Sequence, residues 1–133
     1  MANVMFVSEI RLGDNCASMN HLYEAILQKN GHKLSKVTIF DYEPTNPDLS
    51  DKIKQINPDV IFLATASSIP SEYRNIVYDH LRAFGKPILV GDLALPRYGQ
   101  LEIAEGDRYI NSYNSRDRLH MEIPQALDEL LGN

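Results

Sequence analysis

A chain of 133 residues is long enough for one domain with its own core, and too short for a (β/α)8 barrel, which takes about 250 residues. Hydrophobic residues make up 44% and charged ones 23%, the balance of an ordinary soluble globular chain. The 13 basic and 18 acidic residues give a net charge of −5 beside a single cysteine, which argues against a nucleic-acid face, an internal disulfide and a multi-cysteine zinc site.

The apolar stretch Val60–Ala66 is far short of the ~20 residues that span a bilayer. No basic, apolar, small-residue leader opens the chain, so the expectation is no membrane partner, and a cytoplasmic location if Met1 is the native start. His21, His32, His80 and His120 are scattered without metal-ligand spacing, so no metal site is expected.

Apolar runs alternate with helical periods along the whole chain. Val4-Met5-Phe6-Val7 is a continuous apolar run, the pattern of a strand covered on both faces. Met19, Leu22, Tyr23, Ile26 and Leu27 follow at i, i+3, i+4, i+7 and i+8, one face of a helix. Asn30-Gly31 stops that helix, with Gly31 suited to a left-handed C′ position. A second strand is expected over Lys36–Asp41. Asn46-Pro47 reads as a cap with proline at N1, and Leu49, Ile53 and Ile56 form the inner stripe of a short helix. Asn57-Pro58 ends it, because the residue before proline avoids the α region.

The third strand, Asp59–Thr65, holds Val60-Ile61-Phe62-Leu63 and gives the strongest buried-strand signal. A third helix presents Tyr73, Ile76, Val77, His80, Leu81 and Phe84 on one face, and Gly85-Lys86-Pro87 breaks it. Ile88-Leu89-Val90 makes a fourth strand, and the more polar Tyr109–Tyr113 a fifth, suited to an edge. The last helix turns Ile123, Leu127, Leu130 and Leu131 inward, with Pro124 expected in its first turn, since an interior proline costs about 3 kcal/mol.

Strands separated by helices imply right-handed crossovers, hence a parallel sheet with helices on both faces. The expectation is a single α/β domain over residues 1–133, a three-layer αβα sandwich. Its sheet is a flavodoxin-like doubly wound one of five strands in the order 2-1-3-4-5. Such sheets bind ligands outside the carboxyl ends of their strands, near the switch between strands 1 and 3. That points to Ser8–Ser18, Ala66–Ser71 and Gly91–Tyr98.

Familiar chemistries of this topology fit those segments poorly. A phosphatase built on Cys16 needs an arginine six residues later, where Leu22 stands on the buried helix face. A flavodoxin phosphate loop is rich in Ser, Thr and Gly, whereas Asp14-Asn15-Cys16-Ala17-Ser18 has only Gly13 before it. A receiver domain needs an aspartate after strand 3 and a lysine after strand 5; Thr65-Ala66-Ser67-Ser68 and Asn114-Ser115 stand there. A cobalamin module needs a histidine in the first loop, which is absent. No nucleophile–base pair follows from spacing, so no catalytic residue and no cofactor are expected. The ligand-binding candidates are Asp14, Asn15, Ser67, Ser68, Asp92 and Arg97. Each has a structural alternative: Ser68 or Ser71 as a helix cap, Asp92 tying down its own loop, Arg97 solvated.

Several stretches of the second half occur in a recognisable order: DVIFLATASS, LRAFGKP, ILVGDLALPRY, GDRYINSYNS and ALDELLG. Together they resemble the C-terminal α/β sandwich domain of family 3 glycoside hydrolases, especially the β-N-acetylhexosaminidase branch. Gly85-Lys86-Pro87 leads into an apolar strand, Leu93-Ala94-Leu95-Pro96-Arg97-Tyr98 takes the place of a Leu-x-x-Pro-Tyr turn, and Ala126–Gly132 closes the last helix. The likeness covers about 70 residues; the first half agrees in layout alone. Arg97 separates Pro96 from Tyr98, and Gly99 follows where the family has aspartate.

In that family the nucleophilic aspartate and, in this branch, the acid/base histidine belong to a barrel. The resemblance therefore implies a non-catalytic auxiliary domain, excised or stand-alone. It would pack on a TIM-barrel catalytic domain in cis or trans, or self-associate. It would be inactive alone, and a glycoside hydrolase only as part of a larger protein. The alternative is a small-molecule binding module, flavodoxin-like or cobalamin-domain-like in topology, that uses the carboxyl edge of its sheet.

Overall fold

The computed structural model describes residues 2–10, 17–40, 47–66, 71–93 and 101–132. In chain order the elements are β1 (Asn3–Ile10), α1 (Ala17–Lys29), β2 (Lys33–Phe40), α2 (Pro47–Ile56), β3 (Val60–Ala66), α3 (Ser71–Arg82), β4 (Ile88–Leu93), β5 (Arg108–Asn111), a 3-10 turn (Arg116–Arg118) and α4 (Leu119–Leu131). The five strands pair in parallel in the order β2-β1-β3-β4-β5, as the alternation of buried runs and helical stripes predicts.

Two apolar cores sandwich the sheet, one on each face. Val4, Phe6, Phe62 and Leu89 meet Tyr23, Ile26 and Leu27 of α1 and Leu119, Ile123 and Leu127 of α4. On the opposite face Val7, Leu63, Ile88 and Val90 meet Leu49 and Ile53 of α2 and Val77, Tyr78 and Leu81 of α3. Successive strand residues point to opposite faces, so continuous apolar runs feed both layers at once. Every residue of β3 is buried, and each fully buried large side chain contributes roughly 1.5–3 kcal/mol.

Helix ends follow the punctuation. Gly31, at φ 82°, closes α1 in the left-handed region that only glycine enters without penalty. Pro47 opens α2, where its fixed φ suits N1. Asn57, at φ 48°, ends that helix, asparagine being one of the few side chains that tolerates this region.

The structure corrects several expectations. β1 continues to Ile10 and β4 to Leu93, so Ser8, Glu9 and Asp92 lie in strands and not in the loops that follow. The backbone ladder persists, with Glu9 paired to Ile39 and Asp92 to Thr65 and Asn111, although the apolar run has ended. β2 begins at Lys33, because β1 pairs with it from Asn3 onward. β5 stops at Asn111, whose Oδ1 accepts the N–H groups of Tyr113 and Asn114 at 3.0 and 3.3 Å, a side-chain turn that replaces the ladder.

On α3, Ile76 is 49% exposed and Tyr78 is buried in its stead. Tyrosine can take that inward place because its hydroxyl finds partners in Asp107 and Ala104. α4 starts at Leu119, which makes Pro124 an interior residue and removes the bond to the His120 carbonyl. The earlier start buries Leu119 completely, which offsets that loss.

Among the described residues, no helix is long and apolar enough to cross a membrane.

Candidate functional site at the carboxyl edge

The two faces of the sheet end differently at their carboxyl edge. On the α1/α4 face the end is filled. Gly91 has no space for a side chain: a Cβ there would lie 2.9 Å from Phe62 Cζ and 3.0 Å from Tyr23 Cζ. Phe62 stacks on Phe6 with centroids 5.4 Å apart, and Tyr23 tilts onto Phe62 at 4.9 Å. The Tyr23 hydroxyl and Ser112 Oγ lie 2.5 Å apart and buried, so the polar tip of this aromatic cluster is satisfied.

On the α2/α3 face the last inward row is polar. Alternation puts Glu9 two residues beyond Val7, Thr65 two beyond Leu63, and Asp92 two beyond Val90, all toward the same layer. Thr65 pairs with Asp92 across β3 and β4, and Glu9 follows the Ser8–Ala64 pair across β1 and β3. Carboxyl, hydroxyl and carboxyl groups thus stand on three adjacent strands at a spacing of ~4.8 Å. All three residues are enclosed, Glu9 at 5%, Thr65 at 6% and Asp92 at 0% exposure.

The row is fastened at one end. Asp92 Oδ2 accepts the Tyr109 hydroxyl at 2.5 Å, and the Asp92 carbonyl accepts the Ser112 N–H at 2.8 Å. Both bonds tie edge strand β5 to β4, so Asp92 has a structural duty whatever else it does. Thr65 differs: its Oγ1 is buried and, among the described residues, has no hydrogen-bond partner. Leaving such a group unsatisfied costs about 1–3 kcal/mol, and native interiors contain few of them.

Of the six residues singled out in the sequence, Asp92 alone is described. Asp14, Asn15, Ser67, Ser68 and Arg97 lie outside the described residues, as does Cys16. Asp92 is brought beside Thr65, with Glu9 on the next strand, and these two were not singled out as ligand contacts. A signal for them exists: in strands 1, 3 and 4 the inward phase changes from aliphatic to polar at Glu9, Thr65 and Asp92, one row deep. Finding it requires the register that pairs Val4 with Val60 and Ile61 with Ile88, which spacing along one strand does not contain.

His80 is a packing residue, as expected. Its ring meets Phe84 edge-on at 5.7 Å, and its Nε2 is buried without a hydrogen bond among the described residues. Among the described residues, no group of three or more His, Cys, Asp or Glu side chains could hold a metal ion.

Fold and site together define a doubly wound α/β domain with a buried polar row at its carboxyl edge. Compared with known proteins, the chain matches no family model and no curated protein.

Proposed function

We propose that this chain is a non-catalytic small-molecule binding module that takes its ligand at the carboxyl edge of the sheet, over β1, β3 and β4. The observation that carries this reading is the enclosed Glu9–Thr65–Asp92 row, with the Thr65 hydroxyl in its middle unpartnered among the described residues. A fold that only needed stability would place an aliphatic side chain there, as it does one row below at Val7, Leu63 and Val90. The position also agrees with the rule that open α/β sheets bind beyond the carboxyl ends of their strands. The test is a thermal-shift screen against a metabolite library, with hits mapped by backbone amide chemical shifts. The expected shifts cluster on residues 8–10, 64–66 and 91–93. Shifts clustered on the opposite edge, around Asn57 and Gly85, would overturn the reading.

A second reading keeps the resemblance to the C-terminal domain of family 3 glycoside hydrolases and makes the chain an auxiliary domain for a barrel, or a self-associating one. Supporting it, Gly85, at φ 70°, forms the turn expected ahead of Pro87 and β4. Met121, on α4, is 63% exposed, which makes it a position at which a self-associating surface can be tested. Both readings predict that the isolated chain does not turn over chromogenic N-acetylglucosaminides. They part in sedimentation: a monomer that binds a metabolite supports the first, and an oligomer abolished by Met121→Lys supports the second.

A further inference from the structure

We infer that Asn30 is a modification site, where water converts the side-chain amide to an aspartyl or isoaspartyl carboxylate whenever the cap of α1 opens. The site lies at the amino edge of the sheet, away from Thr65, and needs no enzyme.

Asn30-Gly31 is the one Asn-Gly pair in the chain, and both residues are exposed. In such a pair the backbone nitrogen can attack the asparagine side-chain carbon, because glycine puts no Cβ in the way. The Gly31 nitrogen loses its proton to hydroxide and bonds to Asn30 Cγ. The Cγ–Nδ2 bond then breaks, and its nitrogen leaves as ammonia after taking a proton from water. Water next opens the five-membered imide. Cleavage between Cγ and the Gly31 nitrogen yields aspartate; cleavage between the Asn30 main-chain carbonyl carbon and that nitrogen yields isoaspartate.

The fold holds both reacting groups back. Gly31 N–H donates to the Gln28 carbonyl at 2.9 Å and His32 N–H to the Leu27 carbonyl at 3.2 Å, the paired bonds of a Schellman cap. Asn30 Nδ2 donates to the Ile26 carbonyl at 2.7 Å, which ties the carboxamide to the preceding turn. Attack requires the Gly31 and Asn30 bonds to open together, a local event at a helix end and not global unfolding.

The product does not restore the cap. A carboxylate cannot donate to the Ile26 carbonyl, and its charge stands at the negative end of the α1 dipole. Isoaspartate also adds a carbon to the main chain just before β2. There Lys33 N–H reaches the Ala2 carbonyl at 3.0 Å, and His32 Nδ1 takes the Ala2 N–H at 3.3 Å. Modification thus loosens the junction of α1, β2 and the start of β1, and leaves a lasting mark on chains that have opened.

The test incubates the wild-type chain at mildly alkaline pH beside a synthetic peptide of residues 24–36, with aspartate and isoaspartate at position 30 followed by peptide mapping. Hydrogen exchange at the Gly31 amide supplies the matching scale, since exchange and imide formation both begin with loss of that proton. Asn30 should react about ten- to a hundredfold more slowly in the folded chain than in the peptide, the value of two hydrogen bonds. It should react ahead of every other asparagine, and its retardation should equal or exceed the Gly31 protection factor. Asn30→Asp, a stand-in for one product, should lose protection at the Gly31, His32 and Lys33 amides and keep it at Thr65. Retardation below the protection factor would mean attack without opening, and overturns the proposal. Retardation beyond about a thousandfold would place the reaction in the globally unfolded chain, and overturns it too. So does an earlier reaction at another asparagine, or wild-type protection in Asn30→Asp.

Discussion

At the amino edge of the sheet, side chains close off the backbone groups that the ladder leaves open. Asn3 donates its N–H to Asp59 Oδ2 at 2.8 Å, Ile88 to Asp107 Oδ1 at 3.0 Å, and Ala2 to His32 Nδ1 at 3.3 Å. Tyr78 joins the same network, giving its proton to Asp107 at 2.5 Å and accepting the Ala104 N–H at 2.8 Å. At the carboxyl edge the α2/α3 face instead buries carboxyl and hydroxyl side chains, and leaves Thr65 Oγ1 without a partner among the described residues. The first arrangement stabilises and the second costs stability. Folds accept such a local cost most often where a site needs it.

The comparison breaks first at Asp107. Asp107→Ala would leave the Ile88 N–H and the Tyr78 hydroxyl without their acceptor, and both sit against the α2/α3 core. Each buried group left unsatisfied costs about 1–3 kcal/mol, so urea unfolding should show a loss of about 3 kcal/mol with an unchanged m-value. A loss below about 1 kcal/mol would mean that water replaces the carboxylate, and that the amino edge is no better satisfied than the other.

Next in size is Gly91→Ala, on the filled face of the carboxyl edge. The added methyl would press on Phe62 and Tyr23 at 2.9–3.0 Å, and overpacking of this kind costs about 1–3 kcal/mol. Urea unfolding should show it, together with disturbed ring shifts of Phe6, Phe62 and Tyr23. A neutral effect would mean that the aromatic cluster has slack, and would remove the contrast between a filled and a polar face.

How much of this was legible in the sequence differs by level. The elements and layers followed from runs such as Val60-Ile61-Phe62-Leu63 and stripes such as Tyr23, Ile26 and Leu27, because burial on a sheet or helix imposes a period on one segment at a time, and the strand order followed from the doubly wound topology that this alternation implies. The ends of strands were less legible. Glu9 and Asp92 look like loop residues when apolarity marks a strand, but the backbone ladder continues past them. Tyr78 was hidden for a similar reason: its inward placement depends on Asp107, 29 residues away. The polar row was the least legible, since it exists only when three strands are in register. Asp92 was named from its place after an apolar run; Thr65 has no such mark until Asp92 stands beside it.

Alkaline pH offers a finer probe of the amino edge. Burial first, and then the hydrogen bond to Asp107, push the Tyr78 phenol up to about 12 from 10.0. Between those values the unfolded chain has released its proton and the folded chain has not, so stability is complete below pH 10 and falls as pH rises toward 12. Urea midpoints measured along that interval should decline more steeply in the wild type than in Tyr78→Phe, whose phenyl ring cannot titrate. Parallel slopes would place Tyr78 outside the network.

The smallest effect is expected at His32, the weakest link of the amino edge. Burial first, and then repulsion from the N-terminal ammonium, lower its pKa from 6.5, while the Asp128 carboxylate pulls the other way. Its Nδ1 can accept the Ala2 N–H only while it carries no proton. Below 6.5 the unfolded chain takes up a proton that the folded chain resists, so this contribution is complete above pH 6.5 and is lost as pH falls. The half-buried ring and the single bond keep the change small. His32→Gln retains an acceptor that does not titrate, so its urea midpoint should hold steady from neutral pH down through 6.5 while that of the wild type declines. Hydrogen exchange adds position to the measurement. Acidification should lower the protection factors of the Ala2 and Asn3 amides, where β1 enters the sheet, and leave those of the Thr65 and Asp92 amides at the other edge unchanged. An equal loss of protection at both edges would mean global destabilisation, and would deny His32 any local part in closing the amino edge.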